Sequence, residues 1–503
     1  MTITTWAEFQ NQTDAERVFL AEIEAAEAAN PANTVILRLA TYDMAFDEFW
    51  HGVVVGVPRL RRSLQGTFGG QSAVSWGELE CVREDGYTVT PDDAVTLDDL
   101  LDGTYLVAGR PIVVKYGGED LPESEYQTIF TGTCGDLRAW NNAGFRIEIG
   151  DPLEALRQKK ATPNTVPASL NTPDSVVGKP VPLALGRCRN VSPILIDDVS
   201  YTYRVTDTAP AGVGCSAVTA VYDDGAAVSY TDNGDGTFTL SLSPVGTITA
   251  DVDGATFSGV YQNTVGGILN GLLTTLGGVS NVSSSHIAAL NAAMPYEVGL
   301  YVADAADVLT VMDRLCEGLP VWRAFTRSGQ FRCGEFAPPT GAPDLVIDET
   351  GIVVGTLSGE TEPVVWKQTL RHGRNHAPIP EDRAAGSLTL DQRAWLANEW
   401  RTVEAADPAI QTAFPLAAEA DPADTALTTK ADAEAVAAKW LTLRGAFRRR
   451  YRLTLKPLSL AYELHAEARL VFPRFGLELG DEFRIVAVEE DYNAKTVSLE
   501  LWG

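Results

Sequence analysis

The sequence predicts a mainly β, multidomain chain with minor α. Short runs of alternating apolar and polar residues recur along most of it, separated by Asp-Gly, Asn-Gly and Gly-Gly pairs, the pattern of strands joined by tight turns. Helical spacing is confined to a few stretches that punctuate β units without alternating with every strand, which disfavours a parallel α/β sheet. At 503 residues with 45% apolar side chains, the chain has room for roughly three or four domains with sizeable cores. No short tandem repeat stands out.

Residues 1–180 read as a β unit. "ERVFLAEIEA" and "TVILRLATY" flank the polar "ANPAN", and the first also fits a helix because Ala and Glu favour one. "GELECVREDGY", "RPIVVKYGGEDL", "YQTIFTGTCGDLRAW" and "GFRIEIGDPLEAL" follow as short strands at a spacing that suits a barrel or sandwich. The Pro/Ser/Asn/Thr-rich "KKATPNTVPASLNTPDSVVGKPVP" reads as a surface linker. Residues 181–258 form a chain of hairpins turning at Asp-Gly, Asn-Gly-Asp-Gly and Pro-Val-Gly.

Residues 259–345 change to a small α/β unit. "TVGGILNGLLTTLGG" and "DAADVLTVMDRLCEGLP" have helical spacing, with Asp304 set to cap the second helix and Gly318 to end it. "PVWRAFTRSGQFRCGEF" is a hairpin turning at Arg327-Ser328-Gly329. Residues 346–503 return to β, interrupted at about 385–447 by a helical insertion that ends in the Ala-rich "KADAEAVAAKWLTLRGAF". The chain closes on "GDEFRIVAVEEDYNAKTVSLELWG", a hairpin whose last strand is also its last residues.

Bulk properties exclude several functions. Against 39 basic residues stand 67 acidic ones, a formal charge of −28, which repels phosphates and anionic lipid at long range. Sequence-specific nucleic-acid binding is therefore disfavoured. The N-terminus lacks a basic start followed by an apolar run, so no secretion signal is expected, and no stretch is apolar enough for a membrane span. The six cysteines (Cys81, Cys134, Cys188, Cys215, Cys316 and Cys333) show no CxxC or CxxH spacing. They read as buried reduced thiols, an iron–sulfur site requiring at least three to converge.

Catalytic signals are scarce. His51, His286, His372, His376 and His465 are the only histidines. His372 and His376 in "HGRNH" lie four apart, but the Gly and the strand-like lead-in argue against a helical metal pair and for loop histidines that are solvated or hydrogen-bonded. "DNGDG" (232–236) places Gly234 and Gly236 where a calcium loop needs side-chain oxygens, and Ser243 where it needs a glutamate, so it reads as a hairpin tip. "GGQSAV" lacks the second glycine of a nucleophile elbow, Val74 following Ala73. "VGGILNG" and "GTCGDL" fit neither a dinucleotide fingerprint nor a P-loop.

Carboxylates are too abundant for a glycosidase pair to be nominated without their spatial separation. The aromatics Trp140, Trp322, Phe325, Trp366 and Trp502 fall in apparent strands and read as core or interface residues. Residues 181–258 are poor in Trp and have mainly Tyr222, Tyr230 and Phe238 to offer a carbohydrate. Arg448–Arg452, "RRRYR", reads first as a solvated strand entry and second as a rim that pairs with a neighbouring acidic subunit. No catalytic, cofactor-binding or metal residue is assigned.

Longer stretches carry a resemblance. "AIQTAFPLAAEADPADTALTTKADAEAVAAKWLTLRGAFRRRYRLTL" and "ARLVFPRFGLELGDEFRIVAVEEDYNAKTVSLELWG" resemble the C-terminal part of baseplate hub, or tail-tip, proteins of long-tailed, siphovirus-like bacteriophages. "GKPVPLALGRCRNVSPILIDDVSYTYRV" and "ADVLTVMDRLCEGLPVWRAFTRSGQFRCGEF" are similar to further segments of such proteins, and the N-terminal "SAVSWGELECVREDG…GRPIVVKYGG…YQTIFTGT" less specifically to their first domain.

The resemblance implies a non-enzymatic virion protein with tail-tube-like β-barrel domains at 1–180 and 346–503. Between them stand a β-sandwich-like insert (181–258) and the α/β unit (259–345). It also implies a homotrimer whose paired barrels give six to match a hexameric tail tube. Its partners would be the tail tube or distal tail protein, other tip proteins and the tape measure protein, with DNA passing without specific binding. Such a protein is made in the host bacterial cytoplasm and resides in the virion tail tip. Longer relatives continue into fibre or receptor-binding modules that have no counterpart in this sequence. The enzyme and adhesin alternatives, a tail-associated glycan or peptidoglycan hydrolase and a carbohydrate-binding adhesin, rest on no motif.

Overall fold

The computed structural model describes residues 4–10, 15–56, 59–64, 70–75, 77–82, 95–138, 141 and 143–503. It is mainly β, with several domains and mostly antiparallel pairing. "ERVFLAEIEA", which fits either state in isolation, is strand Arg17–Glu27. Tertiary pairing on both sides, to Thr34–Ala40 and Pro111–Gly118, overrides the helix propensity of its Ala and Glu residues.

The first β unit closes on itself. Its sheet runs from Thr34–Ala40 through Arg17–Glu27, Pro111–Gly118, Gln127–Arg138, Gly144–Gly150 and Glu78–Val82 to Val54–Gly56. The residues just before Val54 then meet the opening strand: the His51 amide donates to the Arg38 carbonyl at 3.0 Å and the Ala40 amide to the His51 carbonyl at 2.7 Å. With Val82 donating to the Val53 carbonyl at 2.8 Å, one short segment bridges both edges and makes a barrel. Leu20, Ile23, Leu39, Ile112, Ile129 and Ile147 are buried in its core.

The second barrel uses the same device. Arg449–Leu455, Thr496–Trp502, Asp481–Asp491 and Glu467–Leu470 are neighbours in that order. The segment 345–361 joins the outer two: Leu345–Ile347 pairs with Glu467–Leu470, Ile352 bridges Leu455, and Ser358–Thr361 pairs with Arg449–Leu455. The last strand is therefore an interior member of the ring, with Leu499, Leu501 and Trp502 buried.

Between the barrels, residues 181–258 form two facing sheets around Cys188, Tyr203, Phe238 and Val252. Gly186 sits at φ +62°, and a Cβ there would lie 2.0 Å from the Val298 carbonyl oxygen. Gly186→Ala is expected to cost about 2–4 kcal/mol through backbone strain and overpacking, read as a lowered thermal midpoint.

The largest core departs from the expected boundaries. Strand Gly299–Val302 pairs with Leu183–Val191, so the α/β unit and the insert share a sheet. Leu370 and Val403 lie in strands Val365–His372 and Arg401–Ala406, and Ala433 and Val436 in helix Lys430–Arg444; all four are buried with Leu309, Met312 and Leu315 of helix Val308–Cys316. Their apolar faces meet the middle unit, so 365–444, expected within the C-terminal unit, shares the central core.

Helix Val308–Cys316 is capped by Asp307, whose side chain accepts from the Thr310 amide, and not by Asp304. Asp304 is instead held by both guanidinium nitrogens of Arg314 at 2.8 Å. Gly318 stands just past the helix end at φ +66°, as its position predicts. The linker 159–182 has no strand or helix, but Ala161, Val166 and Val181 are buried, so it packs along the body. Among the described residues no helix is long and apolar enough to cross a membrane.

Candidate functional site: a charged junction between two barrels

The two barrels are stitched together by one hairpin. After Val54–Gly56 the chain leaves the first barrel, forms Leu60–Leu64 and Gly70–Ser75, and returns as Glu78–Val82. Leu60–Leu64 pairs with Asp481–Asp491 of the second barrel, matching Arg62 with Val488 and Leu60 with Glu490. Gly70–Ser75 pairs in parallel with Val321–Phe325, which draws the central hairpin into the same sheet. In return Tyr492, one residue beyond Asp481–Asp491, inserts its ring into the first barrel, 4.9 Å from Tyr116 and 5.3 Å from Phe19 between centroids.

At this crossing four charges are brought together. Leu60, Arg62 and Leu64 share strand parity, so Arg62 points with the leucines into the interior and is 2% exposed. Its guanidinium lies 2.7 Å from Glu463 and 3.5 Å from Glu490. Arg327, at the turn of the central hairpin, donates from Nε to Glu490 at 3.0 Å and also pairs with Glu463. It reaches the carbonyls of Leu460 at 3.0 Å and Tyr462 at 2.8 Å, and the Tyr492 hydroxyl donates to Glu490 at 3.3 Å. Each guanidinium thus meets two carboxylates, the arrangement that makes buried ions tolerable.

The electrostatics favour the charged forms of Glu463 and Arg327. Burial works against the Glu463 carboxylate, but Arg62 and Arg327 more than offset it and hold Glu463 below its ordinary range. Burial likewise opposes charge on Arg327, and Glu490 and Glu463 raise it nonetheless. Burial and then Glu490 push Tyr492 well above the ordinary phenol range, so it stays a neutral donor. With Glu463 held below and Arg327 above their ordinary ranges, this pair is suited to binding elements together and unsuited to exchanging protons near neutrality.

The folded value of Glu463 lies below its ordinary 4.5, so its stabilising contribution is complete above that pH and is lost as pH falls beneath it. Calorimetric midpoints are expected to hold from pH 7 to 5 and fall below pH 4.5. The Glu463→Gln chain should show a shallower fall, and an unchanged slope would exclude Glu463 as the cause.

Other sequence-level candidates lie elsewhere. The arginines of 448–452 are engaged within the chain itself, Arg452 while still 60% exposed, and do not form a free rim. Arg449 pairs with Asp481, Arg450 with Glu362 at 2.7 Å and with Glu500, and Arg452 with Glu360 at 3.2 Å. Arg448 lies over the Trp502 ring at 5.2 Å. Strand pairing places these acidic partners opposite, so the cluster is neutralised within the protomer.

Asp232–Gly236 is a hairpin tip in which Asp232 and Asp235 cap amides of the turn, as read from sequence. His372 and His376 do not form a site, and of the two only His376 is a half-exposed loop side chain. His372 is buried at a strand end, and burial pushes His376 down to about 3. Among the described residues no group of His, Cys, Asp and Glu could hold a metal ion. Burial raises every cysteine thiol, Cys134, Cys188, Cys215 and Cys333 to about 12. Trp140 lies outside the described residues, whereas Trp322, Phe325 and Trp502 are core and Trp366 is half-buried. Phe238 is buried and Tyr222 and Tyr230 half-buried, which leaves that insert without the platform of exposed aromatics a glycan would need.

A polar cleft of about 600 Å³ opens between the α/β unit and the insertion, lined by Tyr301, Asp304, Arg314, Glu317, Trp400 and Asp424 among others. Partial burial and then Asp424 raise Glu317, the feature expected of an acid catalyst. However, Glu317 remains exposed, Asp304 is committed to Arg314, and Asp424 pairs with Arg371 at 2.9 Å. The cleft supplies no separated acid and base.

No protein-family model and no curated protein matches the chain. Solved structures do. The chain is similar to the 43 kDa tail protein of prophage MuSo2 from Shewanella oneidensis at 10% identity, over 95% of this chain and 98% of that one, with a TM-score of 0.40. It is similar to a chain of the native gene transfer agent virion at 13% identity, over 69% of this chain and 90% of that one, with a TM-score of 0.43. It is also similar to prophage tail protein gp18 from Listeria monocytogenes EGD-e at 9% identity, over 96% and 94% of the two chains, with a TM-score of 0.40. Likenesses this distant carry no argument of their own.

Proposed function

We propose that the chain is a structural virion protein, the baseplate or tail-tip hub of a long-tailed phage-like particle. Three copies would supply six barrels to the tail tube above and three-fold parts below. The carrying observation is that one chain holds two closed barrels, joined by a hairpin and a four-charge cluster of which Arg62, Arg327 and Glu490 are buried and Glu463 half-buried. A ring of barrels keeps its geometry only if the two barrels of a protomer do not pivot, and ion pairs across the junction support that. The acidic balance fits a conduit for DNA, because contact with carboxylates releases no counterions from the phosphate backbone.

On this reading the tail tube or distal tail protein, other tip proteins and the tape measure protein are partners. The protein performs no covalent chemistry, and its site of action is the virion tail tip after synthesis in the host cytoplasm. Cryo-microscopy of the purified full chain, alone and with the tail-tube protein, tests the proposal. Three-fold rings that cap tubes are expected, and a monomer that leaves tubes uncapped would overturn it.

A further inference from the structure

The second barrel carries a surface that the chain itself leaves uncovered. Between Phe472 and Leu477 the backbone makes a tight turn, with the Phe472 amide donating to the Leu477 carbonyl at 3.0 Å. Phe475 stands there at φ +66° and Gly476 at +75°. A phenylalanine in the left-handed region costs on the order of 1 kcal/mol or more, yet this one gains no burial: its side chain is 59% exposed. The turn is also braced. Arg449 donates to the Phe475 carbonyl at 3.1 Å while paired with Asp481, and the Phe475 ring stacks parallel on Phe472 at 6.0 Å.

Further apolar side chains extend the patch. Leu479 is 94% exposed. Val346, 66% exposed, stands across the strand pair from Arg469, whose side chain abuts Gly480. On the other side of Arg449, Phe447 is 55% exposed and lines a shallow groove of about 360 Å³ with Asp481 and Gly503. Several exposed apolar side chains interleaved with Arg449, Arg469 and Asp481 on a rigid support have the mixed composition of a contact surface.

Charge identifies the occupant. Residues 446–503 contain nine basic and nine acidic side chains and 345–361 add Asp348, Glu349 and Glu360, so the second barrel carries only −3 of the −28. Identical chains that acidic repel one another at long range everywhere except through a neutral, mixed-sign face. A basic partner would be drawn to the acidic regions, and DNA gains nothing from a patch without net positive charge. We propose that copies of this chain associate through the outer face of the second barrel centred on Phe475 and Leu479. The proposal rests on the hub reading and assigns its self-contact surface.

Sedimentation of the full chain tests it against two double variants. Phe475→Glu/Leu479→Glu alters the patch. Leu242→Glu/Val245→Glu alters an equally open apolar tip on the insert, where the two side chains are 80% and 96% exposed. The patch variant is expected to sediment as a monomer, its self-association weakened about 100-fold or more, while the insert variant keeps the wild-type mass. A patch variant that retains the oligomer overturns the surface and leaves the hub reading standing. A wild-type chain that is monomeric at tens of micromolar overturns both. Should the patch variant fail to fold, amide exchange across 472–480 of the wild type at low and high protein concentration decides. Protection that rises with concentration supports the contact, and protection independent of it overturns the contact.

Discussion

Arg327→Met is expected to destabilise the folded chain by about 3–5 kcal/mol, the cost of leaving buried carboxylates without their counter-charge. Glu490 is fully buried and would keep only Arg62, at 3.5 Å, and the Tyr492 hydroxyl. Glu463 would lose one of its two guanidinium partners. The Leu460 carbonyl would lose the Arg327 donor at the same time, and the Tyr462 carbonyl would keep only the longer contact from Arg62 at 3.5 Å. Urea denaturation of wild type and variant, with fluorescence reporting the two barrels together, measures the loss.

The double variant Arg327→Met/Glu490→Leu should recover part of it, since removing both members of a buried pair costs less than removing one. A single variant that melts with the wild type would mean that the junction is dispensable, and with it the argument for a rigid pair of barrels.

Trp502→Ala should cost a comparable amount, about 3–5 kcal/mol, because it empties a large fully buried site. The indole lies in an interior strand of the second barrel, 5.0 Å from the Phe336 ring, and Arg448 covers it at 5.2 Å. Phe336 follows strand Phe331–Glu335 of the central hairpin, so the cavity would open where the barrel meets its neighbour. Limited proteolysis is the sensitive readout. Cleavage in the second barrel should accelerate while fragments of the first barrel persist. Equal protection of both variant and wild type would show that the site collapses to fill the void.

The sequence made the local elements legible. Alternation marked the terminal hairpin, turn residues marked the hairpin that reverses at 327–329, and glycine spacing marked the end of helix Val308–Cys316. Each is decided within a few residues of itself. Barrel closure was not legible at that scale, because 50–56 and 345–361 pair with strands on both edges and show no special pattern. The charged junction was half visible. Arg62 falls on the apolar parity of its strand, a sign of an inward charge, but its partners Glu463 and Glu490 lie hundreds of residues away and look like ordinary strand and loop carboxylates. Asp304 was misassigned as a cap because Asp307 competes from three residues nearer the helix, and its side chain is the one that reaches the open amide.

The hairpin that crosses between the barrels has a consequence for synthesis. Arg62 and Glu463 are separated by 401 positions. At bacterial elongation rates the early strand therefore waits on the order of half a minute for its mate to leave the ribosome. During that interval it presents an unpaired flank carrying a lone cation. A polypeptide cut short by nonsense or nuclease would retain this flank permanently, a feature by which chaperones or proteases distinguish the fragment from the full chain.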